Sequence, residues 1–306
     1  MSGGGDSTRA IFFALGANLA IAASKGVAAF VTGSGAMLAE TVHSLADCGN
    51  QLLLLLGMRQ ARRPVSPEYP LGYGRAIYFW SFLVAVMLFS VGGMFSVYEG
   101  VHKLRHPEPL DNWGWAVGVL AFAIAAEGVS MRACLHEVAK VRGGRTLWQW
   151  FRESRQAELV VIFGEDLAAL LGLTLALAAV LAAVATGNPL WDALGTIGIG
   201  LLLIVVAVLV AIEVKAMLIG QSVDPRLQER IRAFLEQRPE VERLLHLITL
   251  QQGNEVLVSV HARMRQVDDG RAMLADIDRI ERELKRQFPV VRWSFFEPED
   301  GPSGAA

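Results

Sequence analysis

Cysteine is scarce in this chain. Of 306 residues only Cys48 and Cys134 are cysteine. Both lie inside long apolar stretches and in no paired pattern, which argues against a disulfide framework. Cys48 is one residue from Asp47, about 100° round a helix from its face, and reads as a small packing residue. The sequence also lacks a Walker motif, a G-x-G-x-x-G run and a nucleophile elbow, so nothing points to an ATPase or a hydrolase. No nucleophile-and-base constellation is visible, so the chain is not expected to be an enzyme, and no nucleic acid is expected as a partner. The opening Met1-Ser2-Gly3-Gly4-Gly5-Asp6 lacks the pattern of a cleavable signal peptide, so the first apolar segment is expected to be retained. Two loops, at 33–36 and 185–191, contain no Lys or Arg.

Apolar residues are abundant: 53% of the chain is hydrophobic and the mean hydropathy is +0.39. They fall in blocks long enough to span a bilayer, which takes about 20 residues. Six such blocks are expected, at 11–32, 37–58, 77–99, 113–136, 158–184 and 192–217. Arg59, Arg62, Arg63 and Arg75 lie between spans two and three. Lys140, Arg142, Arg145, Arg152 and Arg155 lie between four and five. By the positive-inside rule these loops and both termini face the cytoplasm. The Ala/Leu/Arg-rich style suggests a bacterial plasma membrane. The aromatic run Tyr78-Phe79-Trp80 suits a membrane interface. The Trp148-Gln149-Trp150-Phe151 cluster suits a hairpin at headgroup level.

Ionisable residues interrupt these blocks, and a charge near the bilayer centre costs roughly 2.5–3.5 kcal/mol, so it has a partner or a purpose. In span two His43, Asp47 and Asn50 are spaced i, i+4, i+7 and share one helix face. An imidazole and a carboxylate one turn apart can grip a divalent cation. Span one carries Asn18 and Lys25; the lysine either pairs with an acid on a neighbouring helix, snorkels, or takes part in transport. Glu127 in span four is either a helix–helix hydrogen-bonding group among small residues or a relay. Span five holds the adjacent acids Glu165 and Asp166, which cannot share one direction on a regular helix.

After about residue 218 the sequence reads as α-β-β-α-β. Helices are predicted at 227–237 and 272–288, and strands at 243–251, 255–264 and 290–296. Gly253-Asn254 is the hairpin turn and Asp224-Pro225 a helix start. The expected organisation is a tail at 1–10, a six-helix transmembrane domain at 11–217, a cytoplasmic α-β-β-α-β dimerisation domain at 218–298 and a flexible tail at 299–306.

These residues resemble the cation diffusion facilitators, a family of metal–proton antiporters. The resemblance rests on Asn18 to Lys25 running on to Gly33-Ser34-Gly35-Ala36-Met37-Leu38-Ala39-Glu40. It rests also on His43-Ser44-Leu45-Ala46-Asp47-x-x-Asn50, Tyr69-Pro70-Leu71-Gly72-Tyr73-Gly74-Arg75, Tyr98-Glu99-Gly100 and Glu213-x-Lys215-x-x-Leu218-Ile219-Gly220. It implies six transmembrane helices, a ferredoxin-like, metallochaperone-type cytoplasmic domain and a homodimer. It implies two ligands from span two, His43 and Asp47, and two from span five. There Asp166 matches, but its partner position is Ile162, leaving Glu165 as the candidate fourth ligand through a local unwinding or a different helix rotation. The Glu165-Asp166 pair with Glu127 resembles the subgroup that includes mitochondrial zinc transporters. Tyr69 and Tyr73 stand where loop histidines are common in the family. A cytoplasmic metal site would draw on His246, His261 and Glu297, each of which also suits a plain structural role.

The function expected is efflux of a divalent cation, Zn²⁺ first, in exchange for protons, with lipid as the surroundings. Mn²⁺, Fe²⁺ and Co²⁺ are the alternative cargoes, since one His with carboxylates suits them too. A membrane-anchored metal sensor or scaffold is the alternative of another class.

Overall fold

The computed structural model describes residues 19–107, 112–265 and 269–299. Asn18 and the rest of 11–18 lie outside them, as do 1–10 and 300–306. Six membrane helices precede a small three-stranded domain, as the sequence predicts. Helix α1 (Leu19–Thr32) turns directly into α2 (Gly35–Ala61). Gly33 takes a left-handed φ of 64° and ends α1, with its N–H bonded to Ala29 O at 2.9 Å. Ser34 then caps α2, its hydroxyl accepting from Met37 N at 3.2 Å. A glycine stop followed at once by a serine start makes so tight a turn attainable.

The third span runs through α3 (Ala76–Met87), a π-helical segment (Leu88–Met94) and α4 (Phe95–Arg105). Helix α5 (Trp113–Arg142), the short α6 (Leu147–Glu153), α7 (Ala157–Thr186) and α8 (Leu190–Ile219) complete the bundle. Spans three to six are 30 residues each and are long and apolar enough to cross a membrane. At 1.5 Å per residue each is about 45 Å long, exceeding the hydrocarbon core of about 30 Å. Helix α2 is less apolar because it carries the interior polar face. Helix α7 lies between α5 and α8, and α8 also packs against α4.

The C-terminal part comprises α9 (Pro225–Glu236), β1 (Val241–Gln252), β2 (Glu255–Met264), α10 (Gly270–Gln287) and β3 (Val291–Pro298). The sheet order is β1-β2-β3, antiparallel across the hairpin and parallel between β2 and β3. Alternation sends Val256, Val258, Val260 and Ala262 to the face covered by the helices, where Ile231, Phe234, Leu235, Ile280, Leu284 and Phe288 complete a core. The other face of β2 carries His261.

Glycines fix how this domain meets the bundle. Gly253 in the β1–β2 turn has φ 64°, and a Cβ there would come 2.6 Å from Gly74 O. A Cβ on Gly74 would sit 2.3 Å from Gln252 O. The neighbouring Gly253 N–H donates to Tyr78 Oη at 2.9 Å. Tyr78 is therefore buried under the sheet domain rather than set in a membrane-interface belt; Phe79 is exposed instead. Trp150 and Phe151 likewise are buried against Phe163, while Trp148 and Gln149 of that cluster are exposed. Arg155, whose pKa burial lowers, donates to Ser222 O at 2.7 Å and ties the α6–α7 connection to the start of the sheet domain.

Candidate metal site in the membrane bundle

Helix α2 presents Glu40, His43, Asp47 and Asn50 at i, i+3, i+7 and i+10, one continuous face. Glu40, His43 and Asn50 are fully buried, and Asp47 is partly buried, its side chain 16% exposed. His43 Nε2 lies 3.6 Å from Asp47 Oδ2. Among the described residues neither His43 nitrogen nor Asp47 Oδ1 has a hydrogen-bond partner. Buried polar groups are nearly always paired, so unpaired imidazole and carboxylate atoms side by side mark a place suited to a ligand. The π segment runs beside them: a Cβ on Gly92 would be 3.7 Å from His43 Nδ1. Such segments recur at functional sites. The hydrophobic pattern of span three does not reveal it.

At the N-terminal end of this face Lys25 and Glu40 form an ion pair at 3.2 Å, both fully buried. Lys25 also donates to Ser44 Oγ at 2.7 Å. Of the three roles open to Lys25 in the sequence, the pair with a neighbouring helix is the one found, and Glu40 is the acid that the sequence reading left unnamed. Gly172 of α7 makes room for it, since a Cβ there would be 2.7 Å from Glu40 Oε1. Beyond it Asp192, at the start of α8, accepts from Ser34 Oγ at 2.6 Å and from Gly35 N at 2.8 Å. A carboxylate there satisfies the positive end of α2.

Helix α7 supplies the acids opposite. Glu165 is buried and accepts from Asn50 Nδ2 at 2.6 Å, so it reaches the polar face of α2. Asn50 thus supports an acid. Asp166 turns away from that contact, toward α5, where Ser130 Oγ donates to its carboxylate at 3.2–3.3 Å. Ile162, one turn earlier, is 38% exposed. Glu127 lies within electrostatic reach of Asp47 and Asp166. Helix α7 is regular throughout, so Glu165 arrives by rotation of the helix face and not by unwinding. Adjacent residues diverge by about 100°, which is why the two acids address different neighbours. His43 faces Asp47 and Asn50 meets Glu165, but among the described residues the ligand atoms of His43, Asp47, Glu165 and Asp166 do not gather at one point. Ser130 was missed; lying three residues after Glu127, its signal was a lone hydroxyl one helical turn from an interior acid.

A second cluster lies on the open face of the sheet. His261 Nε2 is 3.6 Å from Glu297 Oε2, and its Nδ1 is 3.1 Å from Glu299 Oε1. Ligand atoms of these three residues all lie within 4.8 Å of one another. His246 pairs with His261 across β1 and β2, ring centroids 6.1 Å apart. Glu299, which the sequence reading set in the tail, is held by its N–H on Ala262 O at 3.0 Å.

Residues 11–219 match the cation efflux transmembrane domain. The chain is 30% identical over 302 residues to the mitochondrial proton-coupled zinc antiporter SLC30A9 of Xenopus laevis, covering 85% of this chain and 54% of that protein. The human protein of the same name is 30% identical over 310 residues, with 88% and 54% covered. The zinc transporter ZitB of Escherichia coli is 25% identical over 307 residues, with 97% and 90% covered. The chain spans about half the length of the mitochondrial relatives. With its six membrane helices, its polar face on α2 and this similarity, the chain is an integral membrane protein of the cation efflux, or cation diffusion facilitator, family.

Proposed function

We propose that this protein exports a divalent metal, Zn²⁺ foremost, in exchange for protons, through a site between α2 and α7. The observation that carries the reading is buried His43, unpartnered at both nitrogens and 3.6 Å from Asp47, on the helix face that Glu165 meets. His43 and Asp47 are the span-two ligands. Asp166 and Glu165 are the span-five ligands, with Glu127 as relay and Asn50 and Lys25 as supports. Carboxylates on facing helices repel one another, and a cation between them offsets that repulsion and draws them in. Metal binding needs a neutral imidazole and ionised carboxylates, so proton uptake expels the metal. Of the side chains on this face, an imidazole is the one suited to gain and lose a proton in that exchange.

The basic loops, the sheet domain and both termini face the cytoplasm, in a bacterial plasma membrane. The chain acts as a homodimer, and Phe295 and Ile248 are exposed apolar side chains on the sheet domain suited to the contact. His261, Glu297 and Glu299, with His246, form an accessory cytoplasmic metal site. One histidine among carboxylates also suits Mn²⁺, Fe²⁺ or Co²⁺, which makes these the second reading of the cargo.

The test is uptake of labelled zinc into vesicles under an imposed pH gradient, with the other metals as competitors. Gradient-driven uptake that is lost in His43→Ala and Asp166→Ala supports the proposal. Uptake unchanged in both variants overturns the site. Tight binding without flux supports a sensor or scaffold instead.

A further inference from the structure

We propose that His102 and His106, with Glu99, form a divalent-metal site on the face of the bundle opposite the sheet domain. The inference goes beyond the transport site and rests on the transport reading only for its role, which is to receive the outgoing cation.

His102, on the last turn of α4, and His106, its non-helical C-cap, are exposed and spaced i, i+4, with ring centroids 5.1 Å apart. This spacing puts two imidazoles on one side of a helix, the arrangement by which helical His pairs hold zinc. Glu99 is one turn before His102. All three line a cleft of about 580 Å³ with Gly33, Ser34 and Leu38. The two imidazoles are the primary ligands, and Glu99 would swing in on metal binding to complete a set of three, leaving a position for water as in zinc sites that exchange their fourth ligand.

Two features of the fold favour a cation there. The cleft lies at the C-terminal end of α4, where His106 is the capping residue and unpaired carbonyls make the helix end negative. The same span also connects the cleft to the interior site. Gly92, beside His43 Nδ1, is followed by Glu99 and His106 at seven-residue steps, close to one face of the span. Along a helix those steps amount to about 10 and 21 Å. Two cations oppose binding: Lys103 lines the same cleft and donates to Gly33 O, and Arg105 is exposed nearby. They set this site to hold metal more loosely than the interior one, as a release station requires.

The test is zinc titration calorimetry on the purified full chain, native and with His102→Ala plus His106→Ala, at one pH and without a gradient. The expected result is the loss of a single zinc equivalent per chain, with thermal unfolding unchanged. An unaltered isotherm overturns the site. On the native chain zinc should also slow chemical modification of His102 and His106 several-fold, read by peptide mass spectrometry; unaltered rates overturn it without any variant. A chain that moves no zinc yet loses that equivalent upholds the site and overturns only the transport reading.

Discussion

His43 and His261 each have a carboxylate oxygen 3.6 Å from Nε2, and almost nothing else in common. His43 is sealed between helices, with no hydrogen bond to either nitrogen among the described residues. His261 is partly exposed on a sheet face, where a second carboxylate reaches its other nitrogen. Leaving a polar group unpaired in the interior costs about 1–3 kcal/mol, a cost that bare packing gives no reason to bear. At the sheet surface the same side chain is satisfied by neighbours and water. The difference separates an interior imidazole left without a partner among the described residues from a surface imidazole that its neighbours already satisfy.

Flux gives the sharpest break in this comparison. Asp47→Ala should reduce gradient-driven zinc uptake to background, whereas His261→Ala should leave most of it; equal losses would erase the distinction. Next, Lys25→Met should destabilise the protein by about 3–5 kcal/mol in thermal melts, because it strands buried Glu40. Adding Glu40→Leu should recover much of that loss, and a double variant as unstable as the single would contradict the pairing. Asn50→Ala removes the support of Glu165 and should weaken zinc binding about 10–100-fold with the fold intact, an effect typical of groups that orient a ligand. Gly253→Ala forces a left-handed backbone on a residue with a Cβ, costing about 1–2 kcal/mol before the contact with Gly74 is counted.

The smallest effect belongs to the sheet domain. Burial works to raise the pKa of Glu240, but a backbone N–H and the Arg279 guanidinium outweigh it and hold the carboxyl below its usual range. Arg279 Nε and Nη2 donate to it at 2.9 and 2.7 Å. A depressed carboxylate contributes stability above its unfolded pKa of about 4.3 and loses it as pH falls through the folded value. Arg279→Ala should therefore lower the melting temperature only slightly at neutral pH, since exposed pairs contribute little. The gap between the two melting curves should close toward acid pH.

The six spans and the α-β-β-α-β order were legible in the sequence because long apolar blocks and two-residue alternation are local patterns. The face of His43, Asp47 and Asn50 was legible for the same reason, since helix periodicity is a property of one segment. The partner of each polar group was not. Lys25 finds Glu40 through the turn at Gly33-Ser34, Glu165 finds Asn50 across 115 residues, and Asp166 finds Ser130 on α5. Sequence alone named Glu165 and Asp166 as interior acids but left open which of them meets α2. Helix rotation decides that, and rotation is set by how α7 packs between α5 and α8. Glu299 shows the same division: its strand was predictable, but its approach to His261 depends on the parallel register of β2 and β3. Composition and periodicity thus determined that this chain spans a membrane and buries ionisable groups within it. Tertiary packing alone decided which of those groups are paired and which are not, because pairing is a contact between helices and no single helix encodes it.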